Sequence, residues 1–484
     1  MKILFIVNTE DLGFEEPLGV LYLSAVSKKR RHEVYAVKNN LADIQSKLRD
    51  IKPDLLAVSV TTPSFPYLSE TVRLVKARFD IPAVFGGPHI TFFPEVAKNE
   101  EINYAFRGEC EEAFMEFLDL LETGKPVLGV DNLIFKERDM TLKINPLRPL
   151  IQDLDCVPFP DRDLLSGYKE FYELDVRSVM ASRGCPYNCS YCFNKEYKLL
   201  YKDSYNGIRL RSVDNVVAEC AELKYKYGVK MIHFFDDIFP SRNDWLQEFA
   251  QKYHKSVGLP FFTNTHFEVC SEEYVRNLSN AGCKALLIGV ESGNEQIREK
   301  ILHRKMSNKF MLQKSDLIHS YGIKIYTQNI IGLPFGDLKN DLETLKLNID
   351  LKADFAGAYL CQAYPKTEIE RLARQSGLIE ENHNLGRSFY YSSPFKLPDK
   401  KKVEKLRMIF AFIANFPFLF SYTDRLIQSP DFFLKIFACL LHGYKIKTVV
   451  LQYKMGLGVF LKNIRIFFSR RINSVFYGAS KQDY

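Results

Sequence analysis

The sequence predicts an α/β protein in three parts: a doubly wound parallel sheet, a partial (β/α)6 barrel, and a basic helical C-terminal region. Three observations carry that prediction. Short apolar runs alternate with helical stretches twice along the chain, over 1–140 and again over 176–380, and such alternation builds parallel sheets. A connector over 141–175 separates the two series; its stretch from Leu150 to Pro160 sets Pro158 and Pro160 two residues apart, which prevents regular structure there. Residues 381–484 lack the alternation and carry short apolar segments interleaved with Lys and Arg.

The 484 residues suffice for about three domains and a large core. The first series begins with a strand over Ile3–Val7, followed by a helix over Leu18–Lys29 that Pro17 opens as a first-turn residue. Strands over Leu55–Val60, Ala83–Phe85 and Ile102–Phe106 follow, with a helix over Tyr67–Phe79. Their ends carry Asn8-Thr9, Thr61-Thr62, Gly86-Gly87-Pro88-His89 and Gly108-Glu109. Ligands of doubly wound sheets sit at the carboxyl ends of strands, and glycine lets a bulky ligand approach the backbone.

In the second series, strands over Val179–Ser182, Met231–Phe235, Phe261–Thr265, Ala285–Val290, Ile323–Asn329 and Ala356–Leu360 fit an open barrel. The polar or glycine-bearing sequences at their ends, Asp236-Asp237, Glu291-Ser292-Gly293 and Gly332-Leu333-Pro334, lie where barrel function gathers.

The first of these strands leads into Cys185-Pro186-Tyr187-Asn188-Cys189-Ser190-Tyr191-Cys192. Three thiolates at this spacing can hold three irons of a 4Fe-4S cluster and leave the fourth without a protein ligand. Proteins whose cluster only carries electrons supply four cysteines, so an open iron implies that a reactant binds it. Zinc sites use two cysteine pairs or His partners. This chain has no second pair and no His within twenty residues of the motif. The ten cysteines are otherwise scattered, and free thiols together with a start too short in apolar residues for a signal peptide lead to the expectation of a reducing, cytoplasmic location.

The cysteine motif resembles the signature of the radical S-adenosylmethionine (SAM) superfamily. The segments Pro17-Leu18-Gly19, Gly86-Gly87-Pro88-His89 and Gly108-Glu109-Cys110-Glu111 resemble the cobalamin-binding domain that precedes many barrels of that superfamily. The resemblance implies a cobalamin-binding type of sheet, a radical SAM barrel, and three cofactors: a 4Fe-4S cluster on Cys185, Cys189 and Cys192, SAM, and cobalamin. It implies SAM-binding roles for Tyr191, Asp236, Asp237, Glu291 and Gly332, and cobalamin-binding roles for Asn8, Thr9, Thr61, Gly86, Gly87, His89, Gly108 and Glu109. The Asp-x-His-x-x-Gly motif that supplies a lower axial His in methionine synthase-like domains is absent, and Asp11-Leu12-Gly13 does not replace it, so no lower-axial His is expected. No residue is singled out for acid–base or nucleophilic catalysis.

Two reaction types are compatible with that resemblance: methylation of an unactivated carbon, or a radical oxidation, cyclisation or rearrangement without methyl transfer. A non-catalytic iron-sulfur carrier or redox sensor is the rival from another class. The expected partners are a small-molecule or lipid-like substrate and a reducing donor such as flavodoxin or ferredoxin.

Residues 401–484 hold fourteen Lys and Arg against four Asp and Glu, a balance of +10, so the remainder of the +7 chain carries −3. A nucleic-acid binder would carry its basic residues on the working domain, so nucleic acid is not an expected partner. The tail's apolar segments, Met408–Phe420, Phe432–Leu441 and Thr448–Leu461, are too short to span a bilayer. They form either a helical cap on the barrel or a surface for peripheral contact with an anionic membrane.

Overall fold

The computed structural model describes residues 1–8, 16–172, 174–379, 392–430, 434 and 446–453. The chain divides into two compact units. One comprises Met1–Ser178 with Asn194–Asn215 and Tyr225–Val229; the other comprises the described residues of Val179–Phe193, Val216–Lys224 and Lys230–Tyr484.

The first unit is built on seven strands: β1 Lys2–Val7, β2 Glu33–Lys38, β3 Leu55–Ser59, β4 Ala83–Gly86, β5 Tyr104–Phe106, β6 Leu133–Lys136 and β7 Leu142–Ile144. Their order is β2-β1-β3-β4-β5-β6-β7. β1 to β5 pair in parallel, and β6 and β7 are antiparallel additions at the edge. The order reverses between β1 and β3, which makes the carboxyl ends of those strands the topological switch point where ligands bind in such sheets.

Alternation along β1 feeds two cores. Ile3, Phe5 and Val7 pack with Val20, Leu21, Phe114 and Phe117 on one face, while Leu4 and Ile6 pack with Ile44, Leu48, Leu68 and Val72 on the other. Each fully buried side chain of this size contributes about 1.5–3 kcal/mol. The helix Leu18–Lys29 follows Pro17 and ends on Lys28 and Lys29, cations that suit the negative end of the helix dipole. The helix Leu41–Ile51, together with β2, β6 and β7, was not among the expected elements; Asn40 caps that helix by accepting the Asp43 N–H at 3.1 Å.

In the second unit, five strands run in the order Phe355–Leu360, Lys324–Ile331, Cys283–Glu291, Phe261–Thr265, Met231–Phe234, and neighbours pair in parallel. Outward positions meet helices: Phe234 and Phe261 pack on Phe249 and Tyr253 of the helix Asn243–Ser256, and Asn329 hydrogen-bonds Asn348 of the helix Leu338–Asp350. The register therefore sets His233, Phe262, Asn264, Leu287, Tyr326, Gln328, Gly357 and Tyr359 on the opposite, inward face.

Serine and aspartate caps start the surrounding helices. Ser271 accepts from Tyr274 and Ser307 from Phe310, each at 3.1 Å, and Asp337 closes a capping box with Asn340.

The C-terminal region is in part an integral layer of the second unit. The helix Lys400–Asn415 buries Val403, Leu406, Ile409, Phe410 and Ile413 against Ala356, Ala358 and Leu360. Its start lies eight residues before the expected apolar segment at Met408, and a 3-10 turn follows over Pro417–Tyr422. Of the other expected segments, Phe432–Leu441 lies outside the described residues except for Leu434, and so does Thr448–Leu461 beyond Tyr453. Among the described residues, no helix is long and apolar enough to cross a membrane.

Candidate functional site

The cysteine loop leaves the barrel sheet through a pair of braces. Asp236, fully buried, turns its carboxylate back to accept the Ala181 N–H at 3.2 Å and the Ser182 hydroxyl. Burial pushes this carboxyl up to about 7 against the pull of those donors. Its own carbonyl accepts from Asn264 Nδ2 at 2.9 Å. Asp236 thus fixes the strand that delivers the cysteines, and its exposed neighbour Asp237 is the member of the pair turned to solvent.

Cys189 is buried, and Cys185 and Cys192 are half-buried. Gly184 opens the loop at φ 108°, in the left-handed region that glycine takes without strain. The Cys192 N–H donates to the Cys189 carbonyl at 3.1 Å, tightening the last turn. Tyr187, inside the motif, stacks on His266 at 4.0 Å between ring centroids and 23° between planes. Burial holds His266 neutral, its pKa lowered to about 2.

Arg304 closes the loop from the other side. It places Nη1 3.6 Å from Cys189 Sγ and donates from Nη2 to the Gly289 carbonyl at 2.6 Å. Burial opposes its charge, but Tyr191, Glu291 and Cys189 raise its pKa above the ordinary arginine value. Sequence reasoning missed Arg304; it lies in a loop after the helix Glu295–Lys300, and no spacing rule marks it.

Tyr191 and Glu291 are brought together: the Tyr191 hydroxyl donates to Glu291 Oε1 at 2.8 Å. Glu291 sits at φ 65°, in a region costly for a residue with a Cβ. The register slips between Gly289 and Glu291, and such bulges re-aim side chains beside functional sites. A Cβ on Gly289 would stand 2.2 Å from Glu291 Oε1, so glycine there makes room for the carboxylate. Burial raises the Glu291 pKa, and Arg304 works in the opposite direction.

Gly332 follows the strand Lys324–Ile331. Its N–H is held by Asp341 at 3.1 and 3.2 Å, and a side chain there would meet Leu397 and Val403, each at 3.1 Å.

These residues fit a cluster. A single-ion site draws its ligands to about 2.0–2.3 Å of one point; among the described residues no three His, Cys, Asp or Glu converge in that way. A cubane instead spreads three thiolates over three irons, and the buried Arg304 supplies the positive charge that an anionic group there requires.

In the first unit, the residues singled out from the sequence collect at the carboxyl ends of β1, β3, β4 and β5. Asn8 donates to the Tyr67 hydroxyl. Thr61 is exposed, and its N–H donates to Ser64 Oγ at 2.8 Å. Gly87, at φ 94°, presses on Ser59 and Val60, where a Cβ would stand 2.8 Å from three atoms; Gly86 would meet nothing within 4 Å. His89 lies between Phe65 and Phe93, with centroids at 4.4 and 4.9 Å, and its Nδ1 is 3.2 Å from Thr62 Oγ1. His32, the other histidine among residues 1–172, lies beside the Met1 amino group. The open face at Gly86 and the exposed Thr61 suit a broad flat ligand, and His89 is committed to its aromatic neighbours. Thr9 and the Asp11-Leu12-Gly13 stretch lie outside the described residues.

Glu109 is fully engaged within the protein. Arg209 reaches both carboxylate oxygens, and the Tyr197 hydroxyl donates to Oε1 at 3.1 Å.

Two family descriptions match the chain in the order of the two series: "B12 binding domain" over 6–118 and "Radical SAM superfamily" over 179–347. The chain thus carries a B12-binding region followed by a radical SAM region. It is a radical SAM enzyme, and this pair of regions calls for a 4Fe-4S cluster, SAM and cobalamin. An uncharacterized methyltransferase of Pyrococcus horikoshii is 27% identical over 400 residues, 78% of this chain and 84% of that one. Cytidylyl-2-hydroxyethylphosphonate methyltransferase of Streptomyces wedmorensis is 22% identical, covering 79% and 82%. Anaerobic magnesium-protoporphyrin IX monomethyl ester cyclase of Rubrivivax gelatinosus is 25% identical, covering 76% and 69%. Among solved structures, the cobalamin-dependent SAM radical enzyme OxsB aligns with a TM-score of 0.69 at 14% identity, over 99% of this chain and 80% of that one. The radical SAM methyltransferase TsrM from Kitasatospora setae aligns at 0.66 and 17%, over 81% and 80%. Both likenesses concern the fold.

Proposed function

We propose that the protein is a cobalamin-dependent radical SAM methyltransferase acting on an unactivated carbon of a small-molecule or lipid-like substrate. The observation that carries the reading is the joining, in one chain, of a B12-binding unit to a three-cysteine loop backed by a buried arginine. When bound, the cluster and SAM supply a hydrogen-abstracting radical, and cobalamin supplies a transferable methyl group. Cys185, Cys189 and Cys192 hold the cluster, and Arg304 offsets its charge. Glu291, oriented by Tyr191, and the exposed Asp237 face the polar groups of SAM. Gly86, Gly87 and Thr61 border the corrin.

The inward face of the barrel bears on the substrate. His233 stacks on Phe262 at 4.2 Å, with a pKa lowered by burial to about 3. Tyr326 and Tyr359 share a hydrogen bond of 2.8 Å across Gly357. Asn264, Leu287 and Gln328 complete the described inward positions named above, and none of these side chains is ionised. A charged group brought there would lose hydration without a counter-charge. The part of the substrate that enters is therefore uncharged and largely apolar, with one or two groups able to hydrogen-bond Tyr359 or Gln328.

A second reading, oxidation or cyclisation without methyl transfer, is favoured by the likeness to the magnesium-protoporphyrin cyclases. Product analysis separates the two. The reconstituted enzyme is incubated with hydroxocobalamin, SAM and a low-potential donor such as reduced flavodoxin. A methyltransferase forms S-adenosylhomocysteine as well as deoxyadenosine; deoxyadenosine alone supports the second reading. The tail's charge of +10 over 401–484 supports peripheral contact with anionic lipid as a further part of the proposal.

A further inference from the structure

The turn Gly108-Glu109 closes β5 at the ligand edge of the sheet, yet its chemistry is spent on another part of the chain. Glu109 receives Arg209 at both carboxylate oxygens, one at 2.9 Å, and the Tyr197 hydroxyl at 3.1 Å. Its backbone N–H donates to the Tyr201 hydroxyl at 3.0 Å, and its carbonyl accepts from Asn132 Nδ2 at 2.9 Å. Arg209 also donates to the Ile151 carbonyl at 2.7 Å. The Arg209 and Glu109 side chains are 5% and 14% exposed, so the pair is held largely out of water. A desolvated carboxylate with three charge-assisted or phenolic donors is a built socket; a surface ion pair would gain little.

Gly108 completes the socket by what it lacks. It adopts φ 69°, and a Cβ there would stand 1.7 Å from the Tyr201 hydroxyl. Tyr197 and Tyr201 pack on each other at 4.8 Å. Burial raises both phenols, Tyr201 to about 12, so they remain protonated donors or acceptors at any working pH.

The side chains that meet the Glu109 carboxylate and N–H, those of Tyr197, Tyr201 and Arg209, come from 194–215, the segment that follows the third motif cysteine. Tyr197 lies five residues after Cys192, on the helix Phe193–Leu200 that begins directly after it.

We propose that Glu109 is a positioning residue: it anchors the helix that leaves the cysteine loop and so orders the loop for cluster assembly, without itself touching cobalamin. The proposal rests on the reading above, and its failure is distinguishable from the failure of that reading. A wild-type protein that assembles no cluster, or binds no hydroxocobalamin, defeats the reading before any variant is made.

The test compares full-length wild type, Glu109→Gln and Tyr201→Phe after anaerobic reconstitution. Hydroxocobalamin affinity is read from its visible spectrum. Cluster order is read from iron content and from the change that SAM produces in the paramagnetic resonance of the reduced cluster. The expected result for Glu109→Gln is cobalamin affinity within about threefold of wild type, with iron content at least halved or the SAM-induced spectral change lost. A tenfold or greater loss of cobalamin affinity with cluster and spectrum intact overturns the proposal, as does a variant unchanged in every reading. If Glu109→Gln loses both cofactors, Tyr201→Phe decides by the same readings, since it removes one hydroxyl and keeps the ring.

Discussion

Arg304 and Cys189 form the central contact of the barrel site, with Nη1 3.6 Å from Sγ and the guanidinium anchored by its second nitrogen on the Gly289 carbonyl at 2.6 Å. The fork geometry lets one cation serve a thiolate and a strand end together, which an ammonium could not reproduce. Removing one partner of a buried charge pair costs about 3–5 kcal/mol. Arg304→Leu is therefore expected to lose most of its iron after anaerobic reconstitution, and Arg304→Lys to retain an intermediate amount. Equal iron in the Leu variant and wild type would show that the cluster's charge is balanced elsewhere.

Glu291 and Tyr191 should act on SAM and leave the cluster alone. Glu291→Gln keeps the shape of the side chain and an acceptor for Tyr191, and removes the charge. We expect SAM affinity, measured by equilibrium dialysis on the reconstituted protein, to fall about tenfold, or 1.4 kcal/mol, with iron content unchanged. Loss of iron together with SAM would place Glu291 in the cluster's support instead.

Asp341 gives the fold a pH signature. It is buried against the Gly332 N–H, and burial pushes its carboxyl from 3.8 up to about 8. The folded state then holds a proton that the unfolded state has released, so this group's contribution to stability is complete below about pH 4 and lost as pH rises toward 8. Asp341→Asn keeps an acceptor and abolishes the titration. The difference in Tm, variant minus wild type, should grow from pH 5 to pH 9; a difference that is flat or shrinks would mean that the site is hydrated or relaxed.

The helix Lys400–Asn415 belongs to the barrel's core. Leu406 is fully buried, and Leu406→Ala is expected to cost about 2–5 kcal/mol by denaturant unfolding, whereas Leu→Ala on a detached cap would cost almost nothing. Leu434, Val449 and Val450 are buried as well, so a membrane test must cut the chain after Tyr453. The full chain should co-sediment with anionic vesicles more than with neutral ones, in a salt-dependent manner, and the shortened chain should not. Equal sedimentation of both chains would locate the contact elsewhere.

Both sheets were legible in the sequence because parallel strands buried on two faces read as continuous apolar runs. The helix Leu18–Lys29 and the strand Phe261–Thr265 match their expected bounds. β2 was not expected because Glu33–Lys38 mixes charges into an edge strand with only three buried positions, and β6 and β7 because short antiparallel edges carry little periodic signal. The cysteine motif was legible because its ligands are adjacent in sequence. Arg304, 115 residues beyond Cys189, was not, since only the barrel's closure brings the two together. The Asp236-Asp237 pair could be placed at a strand end, but which member turns inward depends on Ser182 and Ala181, which sequence spacing does not order. The same holds for Glu109, whose partners Tyr197 and Arg209 lie 88 and 100 residues away.

The central claim is that the three motif cysteines hold a cluster whose open iron binds and cleaves SAM. Its most direct test is the formation of deoxyadenosine by the anaerobically reconstituted protein given dithionite and SAM, with Cys189→Ala treated identically. The account predicts deoxyadenosine from wild type and none above background from Cys189→Ala, with iron lost in the variant. Deoxyadenosine from the variant at the wild-type rate, or none from a wild-type protein carrying a full complement of iron, would contradict it.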